Sequence, residues 1–315
     1  MGRKDIREFL DWVHERAISV DGSNPGRAEV ATRLEMASEK IFKVLKEHRI
    51  LSHAELQQVF RDNHASWDLP QSLSFAKFVE FAMEKGQLKK LRLEFPHRAV
   101  ISFTWSDVAL VDVIQAKYPK GYFSHLTAMQ HHDLTEQIST TLCFNVEQQL
   151  TGGGTEPSQL GIDRAFKGKC RVTKNIVKVG EHSVRLLNGR NTGAMGVESI
   201  HDESLTQRRI TNLERTLIDI TVRPIYSGGV YMVAQAFENA KHVSIPRIAK
   251  YLQRLNYTYP FQQAIGYYLN RTGRYSIEEL QPIRELGVEY DFYLDYGLKK
   301  TEYVEYWRLH VPQGF

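Results

Sequence analysis

Lysines and arginines that cluster between positions 85 and 98 are the side chains that most clearly suggest a chemistry in this chain. One acidic residue, Glu94, interrupts a group made of Lys85, Lys89, Lys90, Arg92 and Arg98. Cations on long side chains neutralise phosphates, and each neutralised phosphate releases counterions from nucleic acid. A solvated hairpin also carries such residues merely to block edge-to-edge pairing of its strands. The cluster therefore predicts nucleic-acid contact, with a charged hairpin edge as the alternative.

The helix predicted just before this cluster has polar residues that could face a groove. Its apolar stripe repeats at helical spacing (Phe75, Phe78, Val79 and Ala82). Ser74, Lys77 and Lys85 lie away from that stripe and are predicted to contact DNA. Glu80 and Glu84 lie on the same helix, where they repel phosphates. A glutamate can accept a hydrogen bond from cytosine N4, or it can simply lie on the solvent side.

A second group of basic residues follows in the central part of the chain. Its members are Arg164, Lys167, Lys169, Arg171, Lys174 and Lys178, and they fall on stretches with strand-like composition. We expect them to form the charged outer face of a sheet. The alternative is a surface that extends a DNA track or receives RNA or an acidic partner.

Histidines and carboxylates offer weaker evidence for a metal or a catalytic site. His125, His131 and His132 lie close together, but no regular spacing supplies a fourth ligand, so exposed helix histidines are expected. Glu198, Glu214 and Asp219 could hold the Mg²⁺ of a nuclease. However, Glu214 is explained as a helix cap and Asp219 as the ion-pair partner of Arg215. The sequence therefore predicts no catalytic residue, no metal and no cofactor.

Composition points to an ordinary soluble protein. The chain has 315 residues, of which 42% are hydrophobic and 25% charged, with a formal net charge of +4. Such a length suggests two or three domains. Cys143 and Cys170 form no CxxC pair, so neither a zinc site nor a disulfide framework is expected. No signal peptide or membrane-spanning run is apparent, and a reducing cytoplasm is the expected compartment.

Periodicity places helices and strands around these residues. The N-terminal part is predicted to contain helices over residues 4–19, 30–45, 53–60 and 75–82, then strands over 88–95 and 99–105. Ser52 with Glu55 has the spacing of a capping box. Three helices followed by a two-stranded hairpin is the order of a winged helix-turn-helix, although the link between the last two helices is longer than usual.

The rest of the chain alternates between short strands and helices. A connecting helix is predicted over 106–117, then strands over 138–146, 166–172, 176–179, 183–187 and 195–200, and helices over 211–222, 230–240, 245–255 and 259–269. Residues 149–162, with three successive glycines, are predicted to be an exposed loop. The Tyr-rich C-terminal part is expected to be core or a protein interface.

One helical stretch, residues 205–224, is the centre of this arrangement. Thr211 and Glu214 have the spacing of a capping box, and Leu213, Leu217, Ile218 and Ile220 recur on one apolar face. Arg215 and Asp219 are four residues apart, where an exposed ion pair adds only about 0.2–0.5 kcal/mol. Pro224 ends the helix.

This stretch also resembles a known family. Asn-Leu-Glu-Arg-Thr-Leu-Ile-Asp at 212–219, followed by Arg-Pro and the Gly228–Gly229 pair, is similar to the "E-R-T-L-I-D" segment of AbiEi-type proteins. These proteins are antitoxins and transcriptional regulators of bacterial phage-defence operons. The resemblance covers roughly residues 51–274 and is stronger at 118–134 and 166–240. It implies a winged helix-turn-helix at the N-terminus.

The resemblance also implies a function and a set of partners. We expect a non-enzymatic autorepressor that binds operator DNA, associates with itself there, and counters a co-encoded nucleotidyltransferase toxin without necessarily forming a stable complex with it. The predicted fold is α+β, with a helical extension plus winged helix-turn-helix at 1–105, a connecting helix at 106–117 and an α/β antitoxin-type domain at 118–315. The alternatives are a Mg²⁺-dependent nucleic-acid-processing enzyme and an interaction module that does not touch DNA.

Overall fold

A computed structural model describes residues 25–149, 156–200 and 207–315. It has mixed α and β structure, as predicted, and divides into two compact units. The described residues up to Leu91, together with Ile101–Val108, form the first unit. Arg92–Val100 and Ala109–Phe315 form the second. The helix predicted over residues 4–19 and the three glycines at 152–154 lie outside the described residues.

The first unit contains three described helices and a small sheet. In chain order its elements are α1 (Pro25–His48), β1 (Ile50–Ser52), α2 (His53–Asn63), α3 (Phe75–Glu84) and parts of β2 (Leu88–Phe95) and β3 (Arg98–Trp105), whose residues Arg92–Val100 belong to the second unit. The strand order is β1-β3-β2, and β1 runs antiparallel to β3. The three helices and the hairpin agree with the prediction. Strand β1 was not predicted, because three residues are too few to show an alternating pattern.

Local signals explain why these elements form. At the start of α2 the amide of Glu55 donates to the Ser52 hydroxyl at 3.2 Å, and the Glu55 carboxylate accepts from the Ser52 amide at 2.7 Å. This is the predicted capping box, which satisfies two amides that the helix leaves unpaired. Apolar residues of all three helices share one core, in which Ile41, Leu56 and Phe78 are fully buried.

The second unit is built on a mixed six-stranded sheet. It begins with α4 (Leu110–Lys117), β4 (Tyr122–Phe123), α5 (His125–His131) and β5 (Thr141–Asn145). It continues with α6 (Gln159–Lys167), β6 (Ile176–Val179), β7 (His182–Leu187), β8 (Val197–Ile200), β9 (Arg208–Thr211) and α7 (Leu213–Val222). The strand order is β6-β7-β5-β4-β9-β8, with parallel pairing of β5 to β7 and of β4 to β9.

Helices and a third sheet complete this unit. They are α8 (Val230–Asn239), α9 (Ile245–Leu255), α10 (Phe261–Arg271), α11 (Gln281–Arg284), β10 (Phe292–Tyr293), β11 (Thr301–Val304) and β12 (Leu309–Pro312). Much of the Tyr-rich C-terminal part belongs to the core, since Tyr268, Phe292 and Trp307 are fully buried. None of the helices in the described ranges combines the length and the apolar character needed to cross a bilayer.

The strand predicted over residues 166–172 is absent, since its first two residues end a helix and the others have no regular secondary structure. Residues 159–167 form α6, although 149–162 was predicted to be loop and 166–172 a strand. The Ser158 hydroxyl caps α6 by accepting from the Gly161 amide at 3.2 Å, and Ile162 and Phe166 lie four residues apart on its buried face. The strand prediction was wrong because basic residues at every second position from Lys167 imitate a strand pattern.

The predicted cap of the central helix is also corrected. Helix α7 begins after Asn212, whose Oδ1 accepts from the Arg215 amide at 3.0 Å. Thr211 ends strand β9, and its hydroxyl instead contacts that of Thr216 at 2.8 Å. The Glu214 carboxylate accepts from the Ser244 amide at 3.0 Å, so it fixes the start of α9 and caps nothing in α7.

Candidate functional site

The basic residues predicted to contact DNA are exposed, but several have partners. In the first unit, Lys89 Nζ lies 2.6 Å from Asp107 Oδ1 and Lys85 Nζ lies 3.6 Å from Glu35. Lys90 is exposed and makes no ion pair within the described part of the chain. Because exposed ion pairs contribute little free energy, phosphates can compete for these lysines.

Arg92 and Arg98 lie on the outer part of the hairpin, Arg92–Val100, which belongs to the second unit. Arg92 Nε lies 2.6 Å from Glu94 Oε1. The Arg98 guanidinium donates to the Tyr118 hydroxyl at 3.1 Å and lies 5.7 Å from the centroid of its ring. The apolar residues of this part of the hairpin, Leu93 among them, are buried. Its basic side chains are therefore exposed but partly engaged.

Helix α3 presents a polar face of mixed charge. Lys77 is exposed, as are Glu80 and Glu84. The Ser74 hydroxyl caps the helix, because it accepts from the Lys77 amide at 3.4 Å. Ser74 is therefore engaged at the helix start, and the acidic residues on the same face remain a repulsive feature for a phosphate backbone.

The second basic group is not the outer face of a sheet. Arg164 and Lys167 lie on helix α6, whereas Lys169, Arg171 and Lys174 lie on the irregular segment that follows. Only Lys178 falls on a strand, β6. These side chains therefore do not form one track, and Arg171 alone among them lines a cavity.

The ion pair predicted to be exposed on α7 is buried. Arg215 Nε donates to Asp219 Oδ1 at 2.8 Å, and the two side chains are only 5% and 9% exposed. Arg215 also donates through Nη1 to the Met195 carbonyl at 2.7 Å. Gly196 makes room for it, since a Cβ there would lie 2.7 Å from that of Arg215. The E-R-T-L-I-D segment thus holds a charged network inside the second unit.

Polar residues of the sheet extend this network. The Tyr122 hydroxyl donates to Glu147 Oε1 at 2.9 Å and accepts from Asn145 Nδ2 at 2.6 Å. Burial raises the pKa of the Tyr122 phenol, so the phenol stays protonated. Burial alone would raise the pKa of Glu147, but hydrogen bonds from Thr192 and Tyr122 outweigh it and lower that pKa. Glu147 is therefore a carboxylate that anchors the loop after β7.

A cavity of about 980 Å³ opens beside this network, wholly within the second unit. Arg171, Arg190, Arg215 and Arg223 line it, with Asp219 and Glu156 as its carboxylates. Tyrosines and asparagines complete the wall: Tyr226, Tyr257, Tyr259, Tyr296, Asn145, Asn188 and Asn256. Its lining residues come from segments far apart in the sequence, so no local motif indicated the cavity.

The three clustered histidines differ in their surroundings. His125 was expected to be exposed, but it is buried in the wall of the cavity. Burial lowers its pKa to about 4, so its imidazole is neutral at pH 7. Its Nδ1 lies 2.9 Å from the Ser124 hydroxyl, and its backbone is left-handed (φ 50°). Within the described residues, no three His, Cys, Asp or Glu side chains are arranged to hold a metal ion.

Two of the carboxylates considered for a nuclease have protein partners. Asp219 binds Arg215, and Glu214 binds Ser244 and Arg247, with its Oε2 lying 3.1 Å from Arg247 Nη1. Glu198 lies on β8, where its Oε1 is 3.4 Å from the Asn212 amide nitrogen. The carboxylates thus act as hydrogen-bond acceptors for neighbouring helices.

Comparison with known proteins gives a neighbour in fold. No protein-family model matches the chain, and no curated protein sequence matches it. Among solved structures, the crystal structure of the RV2827C protein from Mycobacterium tuberculosis is similar, with a TM-score of 0.53 and 11% sequence identity. The match covers 89% of this chain and 91% of that one. At this identity the likeness concerns the fold alone.

Proposed function

We propose that this protein is a DNA-binding autorepressor of the AbiEi antitoxin type, with a winged helix-turn-helix in its first unit. One observation carries the proposal. Strand β1 precedes helices α2 and α3, and it pairs with β3 of the hairpin that follows them. A winged helix places its second helix in the major groove and its hairpin beside the phosphate backbone. In chain order, helix α3 corresponds to that second helix, and strands β2 and β3 correspond to that hairpin.

Exposed cations support the same function. Lys77 on α3 and Lys85, Lys89 and Lys90 at its end and on β2 all face solvent in the first unit. The apolar side chains of the same helix are buried, since Phe78 and Ala82 are fully inaccessible. The surface left for a partner is therefore the polar one. Because one winged unit reads one half-site, repression requires two copies of the protein on the operator.

DNA binding is tested by gel shift on the region upstream of the protein's own gene and on an unrelated duplex. Replacing Lys89 and Lys90 with alanine should weaken binding to both duplexes and reduce the slope of log affinity against log salt by about one for each lost phosphate contact. The pair Lys299 and Lys300, exposed in the second unit, provides the matched control. An unchanged salt slope in the first variant, or an equal loss in the control, contradicts the assignment.

The antitoxin role rests on the E-R-T-L-I-D resemblance and has its own test. The proposal predicts a nucleotidyltransferase gene beside this one, and co-expression of the two should restore growth that the enzyme alone arrests. The Lys89→Ala, Lys90→Ala variant should still restore growth when both genes are transcribed from a foreign promoter, because the resemblance assigns neutralisation to the larger domain. Continued arrest with wild-type protein would reject the antitoxin role and leave DNA binding to be judged separately.

A further inference from the structure

The cavity of the second unit has the size of a site for a small ligand. Its volume of about 980 Å³ lies at the upper end of the roughly 300–1,000 Å³ typical of such sites. The end of α7, the loop after β7 and the connection between α9 and α10 each contribute to its wall. These segments surround a space to which neither DNA binding nor the antitoxin resemblance assigns a role.

Cations outnumber carboxylates in this wall. Of its two acidic residues, Asp219 is already paired with Arg215, and Glu156 is exposed. Arg171, Arg190 and Arg223 have no carboxylate partner among the described residues. An anionic ligand would therefore find guanidinium groups ready to bind it, and guanidinium geometry suits phosphate.

Three of the guanidinium groups line the same cavity as Tyr257. Arg190, Arg215 and Arg223 all act electrostatically on the phenol of Tyr257, together with Asp219. Arg190 Nη1 donates to the carbonyls of Leu255 and Asn256, both at 3.0 Å, which fixes its direction. A multiply charged ligand in the cavity would therefore have several arginines in the surrounding wall.

Helix ends account for only some of these arginines. Arg223 caps the C-terminus of α7 and Arg190 binds the last carbonyls of α9, positions where a cation stabilises a helix without any ligand. Arg171 has no such role, because it is exposed on an irregular segment and its guanidinium group makes no hydrogen bond or ion pair within the described residues. Its presence in the cavity wall thus adds charge that the fold does not need.

Aromatic rings and amides supply the other half of a recognition surface. Four tyrosines line the cavity (Tyr226, Tyr257, Tyr259 and Tyr296). The side-chain amides of Asn188 and Asn256 also line it, as does the neutral imidazole of His125. Flat rings stack on nucleobases, and amides hydrogen-bond to base edges.

We propose that this cavity binds a nucleotide, with its phosphates at the arginines and its base against the tyrosines. Both the arginines and the tyrosines of the wall are needed to account for such a ligand. A simple polyanion would contact the guanidinium groups but would not stack on the tyrosine rings, whereas a neutral aromatic ligand would leave the charge of Arg171 without a partner.

Calorimetric titration of the full chain with ATP, UTP, adenosine and tripolyphosphate tests the proposal. At least one nucleotide should bind with a dissociation constant below about 1 mM, and adenosine and tripolyphosphate should each bind about tenfold more weakly or worse. Absence of nucleotide binding at this level overturns the proposal. Tripolyphosphate binding as tight as that of the nucleotides overturns the role given to the tyrosines and leaves only a polyphosphate site.

Two variants on the segment after α6 test whether the ligand binds in the cavity. Arg171→Ala should weaken nucleotide binding about tenfold, the loss expected for one charge-assisted hydrogen bond. Lys174→Ala removes the same charge three residues further on, outside the cavity wall, and should leave the affinity unchanged. Both side chains are exposed, so both variants should fold. Equal losses in the two variants would show binding through general surface charge and reject the cavity as the site.

Discussion

Arg215 and Asp219 form an ion pair inside the second unit, with 2.8 Å between Nε and Oδ1. The other two nitrogens of the Arg215 guanidinium group also have partners. Its Nη1 donates to the Met195 carbonyl at 2.7 Å, and its Nη2 lies 3.3 Å from the Tyr122 hydroxyl. Neighbouring charge outweighs burial at Arg215, and Asp219 contributes most to raising its pKa. The arginine is therefore charged at every accessible pH.

Loss of one partner should strongly destabilise the second unit. Arg215→Met removes the cation but leaves the Asp219 carboxylate buried, and uncompensated buried charges cost about 3–5 kcal/mol. Urea unfolding followed by tyrosine and tryptophan fluorescence measures this change in the free energy of unfolding. The exposed pair Arg271 with Glu238 is the comparison, and Arg271→Ala should cost at most about 1 kcal/mol.

A double variant separates charge from packing. Arg215→Met combined with Asp219→Leu removes both charges and should be more stable than Arg215→Met alone, because buried ion pairs replaced by apolar residues are often neutral in stability. If the double variant is as unstable as the sum of both single variants, the two residues do not act as a pair and the burial argument is wrong.

Helical periodicity and capping patterns predicted much of the first unit. Apolar residues recur at helical spacing along α1, where Val30, Leu34, Ala37, Ile41 and Leu45 are buried in the core and Val44 is partly buried. Ser52 and Glu55 form the box that their spacing indicates. These features depend on residues within one or two helical turns, which is the range that a single sequence reports.

The central helix shows where such local information ends. Thr211 and Asn212 are both good capping residues, and the sequence offered a glutamate three residues after the first. Because β9 pairs with β8, Thr211 belongs to the strand and Asn212 is the residue that caps the helix. Burial of Arg215 likewise depends on Tyr122 and Met195, far away in the chain. The cavity was missed for the same reason.

The position of the cap can be tested by substitution. Asn212→Ala removes the acceptor for the Arg215 amide and also the amide group that lies 3.0 Å from the Tyr251 hydroxyl. We expect a loss of about 1–2 kcal/mol in the free energy of unfolding. Ser244→Ala, which removes the longer 3.4 Å capping contact of α9, should cost less. A loss of less than about 0.5 kcal/mol for Asn212→Ala would argue against this cap.

Lys90 and Lys89 should contribute unequally to DNA binding. Lys89 must break its ion pair with Asp107 before it can bind a phosphate, whereas Lys90 makes no ion pair among the described residues. Lys90→Ala should therefore weaken binding more than Lys89→Ala, and Asp107→Asn should strengthen it by releasing Lys89 and removing a nearby negative charge. Fluorescence anisotropy with a labelled duplex measures these affinities. Weaker binding by Asp107→Asn would show that the pair orients Lys89 and does not restrain it.

Acid should destabilise the second unit through His125. The pKa of this imidazole is lowered to about 4 in the folded protein, chiefly by burial, while Asp219 opposes the shift and Arg215, Arg223 and Arg185 add to it. The unfolded chain, with a pKa near 6.5, binds a proton that the folded chain does not bind. Stability is therefore complete above about pH 6.5 and falls as the pH decreases, by about 2 kcal/mol between pH 7.5 and pH 5.

An asparagine variant isolates this effect. His125 has a left-handed backbone (φ 50°), which asparagine tolerates better than most residues, so His125→Asn removes the titrating group with the least strain. In urea unfolding at several pH values, this variant should lose most of the decline between pH 7.5 and pH 5. His131 also has a pKa lowered chiefly by burial, but it is exposed enough that His131→Gln should retain most of the decline. An undiminished decline in His125→Asn would mean that His125 is protonated in the folded protein, and then the neutral imidazole assigned to the cavity wall would be wrong.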